Sequence, residues 1–430
     1  MAQIWIIRPM GEELFKKEAP KSGIHNDCLC KSVDPHGTCK LMAIEESRKV
    51  RVGMVGGGPG AGIAETHRTA MRLDDRYTIV AGVFSRDPEK SLVAAKKLRI
   101  PEDRVYSDYV AMAEAESGRK DNRIDAVVIV TQTASHYEIA RKFVETGINV
   151  ICDKPLCLKL SEAKELKALV DKGELIFCLT HNYSGYAMVR HAARMVRNGD
   201  LGKVKVVQAE HASGWAIKLL EREGHPQAAW RTDPGVLGDA SVLYDLGTHA
   251  HQLSRFVTGL EVTEVAAEMN QIVEGRAIKD NANLLLRFSN GARGSLWASM
   301  AAAGNEHGLR IRVYGDQGSL AWHHEDPHHL LYSPVDGPPQ ILAQGADWLG
   351  PDAKRWTRVG LGHPEGFFEA FANLYTEVAD ALLARSEGKT WVKAELGFPD
   401  VTDGARGVAF VEGAMRSCGA GGAWTQVESI

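Results

Sequence analysis

The sequence predicts an α/β fold built in two parts. Between residues 50 and 179, short apolar runs alternate with helical segments, which is the pattern of a doubly wound parallel sheet. A glycine-rich turn follows the first apolar run, at the edge where such sheets bind ligands. After residue 180, strand-like segments follow one another with short turns, which predicts a second α/β domain with a large, mostly antiparallel open sheet.

Composition limits the class of protein. The chain has 430 residues, of which 44% are hydrophobic and 25% charged, and this length suits two domains with a sizeable core. A net charge of −4 gives no electrostatic reason to expect nucleic acid or an anionic membrane as a partner. Because no apolar run reaches the roughly 18 residues that a membrane span needs, we expect a cytoplasmic location.

The first part has helices whose ends are marked by flanking residues. Asp87 is a candidate N-cap with Pro88 at the first helical position, and Gly147 closes a later helix. The strand at 124–130 is almost wholly apolar, as expected for a strand that is covered on both faces. The predicted strands span 50–55, 78–84, 124–130, 148–152 and 175–179; the predicted helices span 62–73, 88–98 and 135–146, with another starting at Ser161.

The second part begins with a predicted helix at 186–197 and an alternating strand at 203–212. Asn290-Gly291 is a tight-turn signal between two of its strands. The other predicted strands span 262–269, 282–288, 292–300 and 309–314, and two helices span 364–384 and 402–417. The predicted organisation is therefore an extension at 1–48, a first domain at 49–179 and a second domain at 180–430.

Two histidine-rich segments are interpreted as lacking a metal. The extension, for which flexibility is one interpretation, carries a cluster whose spacing fits no common zinc pattern: His25, Cys28, Cys30, His36 and Cys39. The run from His323 to His329 contains Pro327 and is interpreted as a solvated loop. No metal site is predicted.

The glycine-rich turn joins the first predicted strand to the first predicted helix. Gly56, Gly58 and Gly62 are spaced as G-x-G-x-x-x-G, one residue longer than the usual fingerprint, with Pro59 and Gly60 between them. Glycines in this context allow a tight turn and close approach of a pyrophosphate to the amides of a helix N-terminus. The first domain is therefore predicted to bind a dinucleotide, as Rossmann domains do.

The end of the second strand bears on the choice between NAD and NADP. An acid at this position often binds the ribose hydroxyls of NAD, but here it is Ser85, followed by Arg86. A hydroxyl and a guanidinium suit a 2′-phosphate, so the sequence favours NADP slightly over NAD. Asp87 takes the role of the acid if the strand ends two residues later, or else it caps the next helix.

Polar residues also follow the strand at 124–130. Thr131 and Thr133 come directly after it, and His136 opens the next helix. Loops at this edge line the cofactor crevice in doubly wound sheets, so these residues are candidate cofactor contacts. For His136 the alternative is an ordinary place in the first turn of a helix.

The strand at 148–152 ends abruptly in Asp153-Lys154-Pro155. Proline stops the ladder, so Lys154 is placed at the carboxyl end of a strand, where open α/β sheets hold their ligands. By position alone, Lys154 is either a surface residue or a catalytic cation. Downstream, Asp245 and His249 are four residues apart and would share a helix face. By spacing alone they form an ordinary surface ion pair, or the acid orients the imidazole.

Taken in order, these motifs resemble the Gfo/Idh/MocA oxidoreductases, which include inositol and sugar dehydrogenases. The motifs are the glycine turn, an acid-Lys-Pro at a strand end, Trp230-Arg231 and Asp-x-Gly-x-His from Asp245 to His249. The resemblance covers Val50 to the C-terminus.

The resemblance implies roles for individual residues. Lys154 would hydrogen-bond the reacting oxygen, His249 would be the general base or acid, and Asp245 would orient the substrate and the histidine. Asp153 and Lys154 would contact the cofactor, as would Trp230 and Arg231, whose counterparts do so in some members. Asn182 and Tyr183 would contact the substrate.

The chain departs from the family pattern at several positions. The commoner Glu-Lys-Pro is Asp153-Lys154-Pro155, the glycine run before the aspartate is replaced by 238–241, and Gln252 stands where an acid is frequent. These changes bear on the substrate more than on the chemistry.

The function implied is NAD(P)-dependent hydride transfer to or from a secondary alcohol of a sugar, glycoside or inositol. Two alternatives keep the fold: a redox-neutral enzyme with tightly bound NAD(P), and a non-catalytic NAD(P)-binding sensor. The resemblance and the open sheet together imply a homodimer or homotetramer.

Overall fold

The computed structural model describes residues 48–394 and 396–430. The extension predicted at 1–48, with its histidine and cysteine cluster, lies outside these residues except for Arg48. Across the described part of the chain, every helix is too short or too polar to span a lipid bilayer.

Five parallel strands form the first sheet of the described residues: β1 (Val50–Gly56), β2 (Tyr77–Val83), β3 (Ala126–Val130), β4 (Asn149–Cys152) and β5 (Phe177–Leu179). Their order is β2-β1-β3-β4-β5, so the winding of the chain reverses between β1 and β3. In such sheets the crevice at this reversal, beside the carboxyl ends of the strands, is the ligand site. Every residue of β3 is buried, which confirms a strand covered on both faces.

The helices that follow these strands are α1 (Gly62–Leu73), α2 (Pro88–Leu98), α3 (Tyr109–Gly118), α4 (His136–Glu145) and α5 (Leu160–Lys172). α2 begins as predicted, with Asp87 accepting hydrogen bonds from the amides of Glu89 and Lys90. α3 was not predicted, because its apolar residues are spread around the helix instead of forming one face. Its start is fixed by Asp108, which accepts from the amide of Ala111 at 2.8 Å.

The second sheet is large and mostly antiparallel, as predicted. Its order is β13-β12-β11-β10-β6-β9-β8-β7-β14, and β6 with β9 is its parallel pair. Asn290 and Gly291 form the predicted turn, with Gly291 at φ +88°. The strands are β6 (Val204–Ala212), β7 (Val262–Asn270), β8 (Asn281–Phe288), β9 (Arg293–Ser299), β10 (Leu309–Gly315), β11 (Gly318–His323), β12 (His329–Pro334), β13 (Gln340–Ala343) and β14 (Thr425–Gln426).

The interpretation of 323–329 as a solvated loop is wrong in part. The segment is the turn of the β11–β12 hairpin, and His323 and His329 belong to the strands themselves. His324 lies half-buried with its Nε2 3.1 Å from the hydroxyl of Tyr186. Strands β11 to β13 were not predicted, because their histidines, prolines and acids interrupt the apolar alternation.

The remaining helices are α6 (Ala187–Asn198), α7 (Pro226–Arg231), α8 (Pro234–Leu237), α9 (Thr248–Thr258), α10 (Pro351–Arg355), α11 (Phe367–Ser386) and α12 (Val401–Gly419). A π-helical segment, Leu243–Gly247, runs directly into α9. The last two long helices return to the first sheet: Leu374 and Val378 of α11 share a buried cluster with Val52. On the other face, Val408 of α12 packs in a cluster with Val127.

Candidate active site

A cleft of about 460 Å³ opens beside the carboxyl ends of β4 and β5 and is completed by residues of the second sheet. Residues predicted for cofactor or substrate line it together with residues that were not predicted. The predicted ones are Asp153, Lys154, Asn182, Tyr183, Arg231, Asp245 and His249. The other predicted cofactor residues lie outside this lining: Trp230 is on the helix Pro226–Arg231, and the rest end or follow strands of the first sheet.

The glycine turn has the shape that a pyrophosphate needs. Gly56 has φ +93°, and a Cβ on it would lie 2.7 Å from the carbonyl oxygen of Val130. A Cβ on Gly58 would lie 2.8 Å from the carbonyl oxygen of Phe84. The N-cap of α1, Ala61, offers no side-chain cap, so the first amides of the helix are left for a ligand.

The later residues of the turn are less constrained. Pro59 and Gly60 are exposed, and Gly60 has φ +85°. Gly62 opens α1, where an added Cβ would meet no atom within 4 Å. Gly57 is constrained as well, with φ +85° and a Cβ that would lie 2.8 Å from that of Ala64, so the close approaches fall at 56–58. The turn fits a dinucleotide.

The end of β2 lies against this turn, since a Cβ on Gly58 would lie 3.4 Å from that of Ser85. Ser85 Oγ accepts a hydrogen bond from the amide of Asp87 at 3.1 Å. Asp87 Oδ1 accepts the amides of Glu89 and Lys90 at 3.0 and 3.3 Å, so this carboxylate serves as the helix cap. Arg86 is exposed beside them.

His136 supports the loops of the crevice and does not line the cleft. It is 1% exposed, with Nδ1 2.8 Å from the carbonyl oxygen of Pro155 and Nε2 3.0 Å from that of Thr131. Its hydrogen bonds therefore connect the loop after β3 with the loop that carries Lys154. Thr131 accepts a hydrogen bond from Ser135 at 2.9 Å, and Thr133 is buried.

Lys154 and Asp245 form the polar centre of the cleft. Lys154 Nζ donates to the carboxylate oxygen Oδ1 of Asp245 at 2.9 Å and to its main-chain oxygen at 2.7 Å. Arg231 Nε donates to the other carboxylate oxygen at 3.1 Å. Burial alone would raise the pKa of Asp245, but Lys154 and Arg231 outweigh it and hold this pKa below its usual range.

Asp153 and Trp230 flank this centre. Asp153 accepts a hydrogen bond from Thr180 at 3.1 Å, and His67 Nε2 lies 3.6 Å from it. Burial would raise the pKa of Asp153, but His67 and Lys154 lower it to about 2. Trp230 lies under the guanidinium of Arg231, with 4.1 Å from Cζ to the ring centre.

His249 has a different neighbour from the one predicted. In the described residues Asp245 shares no hydrogen bond with His249, because the π-helical segment rotates the carboxylate toward Lys154 and Arg231. His249 Nδ1 lies 3.4 Å from Nδ1 of His181. Burial, then the charge of Lys154, lowers the pKa of His249 well below its usual value, so the imidazole is neutral at neutral pH.

Asn182 and Tyr183 form one wall of the cleft. Asn182 is 2% exposed, and within the described residues its buried Nδ2 has no hydrogen-bond partner. An unpaired buried donor in a cleft wall fits a ligand oxygen. The Tyr183 hydroxyl lies 2.6 Å from Nε2 of His307.

Histidines are the residues that sequence reasoning missed. His181 and His211 lie beside His249, with ring centres 5.3 and 5.6 Å from it, and His307 lies 4.7 Å from His211. His211 falls at a buried position of the alternating strand β6, and a polar residue in such a position was the available signal. Within 48–394 and 396–430, no group of three or more histidines, cysteines or acids is arranged to hold a metal ion.

Comparison with known proteins identifies both parts of the chain. Residues 50–181 match the family described as oxidoreductase family, NAD-binding Rossmann fold. Residues 189–321 match the GFO/IDH/MocA C-terminal domain. An uncharacterised oxidoreductase of Bacillus subtilis (strain 168) is 32% identical over 383 residues, which cover 88% of this chain and 97% of the relative.

Two proteins with solved structures are similar to this chain over most of their length. An inositol dehydrogenase homolog from Azotobacter vinelandii, complexed with NAD+, is 35% identical with a TM-score of 0.84, covering 88% of this chain and 98% of that one. The same homolog is also solved with NADH and myo-inositol. An oxidoreductase from Sinorhizobium meliloti is 42% identical with a TM-score of 0.78, covering 88% and 99%.

Proposed function

The chain belongs to the Gfo/Idh/MocA family of oxidoreductases and has an NAD-binding domain, and from this premise we propose that it oxidises a secondary alcohol of a sugar, glycoside or inositol, or reduces the matching ketone. The observation that carries the proposal is the meeting of Lys154, Asp245 and the neutral His249 in one cleft. A homolog that is 34% identical binds NADH and myo-inositol, which supports a polyhydroxylated ring as substrate.

Each of these residues has a task in the reaction. Bound NAD(P) supplies the hydride acceptor in oxidation and the hydride donor in reduction. His249 takes the proton of the substrate hydroxyl, a role that typically gives about 10² to 10⁴-fold acceleration. Lys154 stabilises the developing charge on the oxygen, while Asp245 holds the ammonium in place. The unpaired amide of Asn182 donates to a ligand oxygen.

For the cofactor we propose a preference for NADP over NAD. Asp87 is occupied as a helix cap, which leaves Ser85 and the exposed Arg86 at the ribose position. A hydroxyl and a guanidinium at this place recognise a 2′-phosphate. The solved homolog from A. vinelandii is complexed with NAD+, so the preference is a property proposed for this chain.

We also propose that the second domain, 180–430, binds the substrate and assembles the chain into a homodimer or homotetramer. The outward face of its sheet carries Leu285, Leu331 and Ile341, which are 57%, 42% and 69% exposed. Apolar residues across one sheet face favour a contact with a second copy.

The proposed reaction is tested by a screen of inositols, free sugars and glycosides against NAD and NADP, with absorbance of the reduced nicotinamide as the readout. We expect turnover of at least one polyol ring. The contradicting result is cofactor that stays bound through purification without any net reduction by these substrates, which is the behaviour of a redox-neutral enzyme.

A further inference from the structure

The base of the proposed reaction, His249, is paired with a second buried imidazole. Its Nδ1 lies 3.4 Å from Nδ1 of His181, and the two rings meet edge to face with centres 5.3 Å apart. His181 is 2% exposed and His249 is 5% exposed. Two nitrogens at this distance can share only one hydrogen, so one ring donates and the other accepts.

His181 is fixed in position by its own main chain. Its amide donates to the carbonyl oxygen of Leu179 at 2.8 Å, and its carbonyl oxygen accepts from the hydroxyl of Ser184 at 2.9 Å. The residue follows β5 by two positions and directly precedes Asn182. Because the main chain is held and the side chain is buried, the imidazole has little room to turn away from His249.

Asp245, the acid predicted to orient His249, makes its hydrogen bonds to other residues. Both carboxylate oxygens of Asp245 accept hydrogen bonds, one from Lys154 and the other from Arg231. A base that must take a proton at Nε2 needs its hydrogen on Nδ1, and that hydrogen needs an acceptor. Among the described residues, His181 Nδ1 is the hydrogen-bond partner of His249 Nδ1.

Resting on the proposed function, we propose that His181 is a positioning residue: its Nδ1 accepts the Nδ1 hydrogen of His249 and thereby leaves the lone pair of His249 Nε2 for the substrate hydroxyl. During oxidation, the hydroxyl proton passes to His249 Nε2, the carbon gives its hydrogen with two electrons to the nicotinamide, and a carbonyl forms. The bond to His181 then becomes charge-assisted, because His249 carries a positive charge.

The surroundings decide how readily His249 takes a proton. The groups that face it are Lys154 after β4, His181 and Tyr183 after β5, His211 on β6 and His307 before β10, with Asp245 on the preceding π-helical segment. His181 is itself neutral, since burial and then Lys154 lower its pKa to about 3, with Asp153, Asp403 and Arg255 as its other charged neighbours. A neutral acceptor raises the basicity of His249 less than a carboxylate would.

This difference makes the proposal testable with three substitutions of His181. His181→Asn keeps an acceptor near the place of Nδ1, His181→Leu removes it, and His181→Asp supplies a charged one. We expect His181→Leu to lower kcat by roughly tenfold or more with KM little changed, and His181→Asn to retain most of the activity.

His181→Asp should shift the acidic limb of the pH profile of kcat/KM upward by about one unit or more. His363→Leu, on the exposed surface, is the matched control.

Nitrogen-15 NMR of the histidine rings reads the tautomer of His249 without turnover, with His249→Gln to assign its signals. We expect the hydrogen on Nδ1 in the native protein and its loss from that site in His181→Leu.

A native His249 that carries its hydrogen on Nε2, or a His181→Asp variant with an unmoved acidic limb, would overturn the proposal. If the tautomer is as expected but no alcohol is oxidised, the positioning role stands and the proposed reaction fails. If His181→Leu does not fold, the aspartate variant and the native tautomer still decide.

Discussion

At the residue scale, the cleft is organised by the contact between Lys154 and Asp245. The ammonium has two acceptors on one residue, and the carboxylate has a second cation in Arg231. A charge cluster of this kind holds the lysine at one point and satisfies both partners, so it can act on a substrate oxygen without first being ordered.

The proposed preference for NADP over NAD depends on Arg86. We predict that Arg86→Ala lowers kcat/KM for NADP by about tenfold, because one charge-assisted contact to the 2′-phosphate is lost, and changes the value for NAD little. Steady-state kinetics with both cofactors and one accepted substrate make the measurement. Lys90→Ala, an exposed lysine on the next helix, is the control. Native enzyme with the better kcat/KM for NAD would contradict the proposed preference.

Residue patterns predicted part of the site and missed the rest. The glycine turn and Asp153-Lys154-Pro155 could be found because each sits at the end of an apolar run, and runs of this kind become strands. The contact between Asp245 and His249 was predicted from α-helical spacing, which fails in the π-helical segment Leu243–Gly247. His181 and His307 come from different elements, and only the fold brings them to His249.

At the scale of elements, α12 connects the two sheets. Val401, Ala405 and Val408 belong to the buried cluster of the first sheet, whereas Phe410 and Ala414 belong to that of the second. A boundary near Thr180 stays the proposal for where the substrate domain begins in sequence. In the fold, the carboxyl-terminal helix nevertheless packs against both parts.

The contribution of α12 to stability can be measured at Phe410. Its side chain is wholly buried and stacks on His251 with ring centres 4.4 Å apart. We predict that Phe410→Ala lowers the free energy of unfolding by about 3 to 5 kcal/mol, because a large cavity is left in the core. Denaturant unfolding gives the value, and Met415→Ala on the exposed side of α12 should cost far less. Equal losses in the two variants would contradict this account of the packing.

Prediction of elements succeeded where apolar runs were long and failed where they were interrupted. The strand at 124–130 is almost wholly apolar, and the structure has a fully buried strand there at Ala126–Val130. The hairpin strands β11 and β12 contain histidines at their ends, and this polar run was interpreted as a loop. The physical reason is that one side chain of the run, His324, packs inward against Tyr186, which the local pattern does not reveal.

At the scale of the whole molecule, buried histidines link stability to pH. Burial lowers the pKa of six histidines of the described residues: His181 (to about 3), His307 (to about 4), His211, His249, His251 and His324. The unfolded chain binds a proton at each near its ordinary value of 6.5, whereas the folded protein binds none until a lower pH.

We therefore predict that the free energy of unfolding is highest above pH 6.5 and falls as the pH decreases toward about 4. The slope should reach about 1.4 kcal/mol per pH unit for each histidine that is still neutral in the folded state. Urea unfolding at pH 7, 6 and 5 checks the slope. A free energy of unfolding that does not change over this range would show that these histidines bind protons as readily in the folded protein as in the unfolded chain.

The open sheet predicts an oligomer. We expect light scattering at micromolar concentration to give a dimer or tetramer, and Leu285→Asp to shift it toward the monomer, because a charge is buried without a partner in the contact. Val392→Asp, at a position that is 80% exposed and away from the sheet, is the control. Native protein that is monomeric at this concentration would contradict the proposed role of the sheet.

The central claim is that Lys154 and His249 carry out the chemistry of a polyol dehydrogenase. The most direct test is kcat of Lys154→Ala and His249→Ala with an accepted sugar or inositol and excess cofactor. We predict a loss of two or more orders of magnitude in each variant, because the first removes the stabilisation of the reacting oxygen and the second removes the base. Cofactor binding measured by fluorescence should be retained in His249→Ala. Rates close to those of the native enzyme in both variants would contradict the claim.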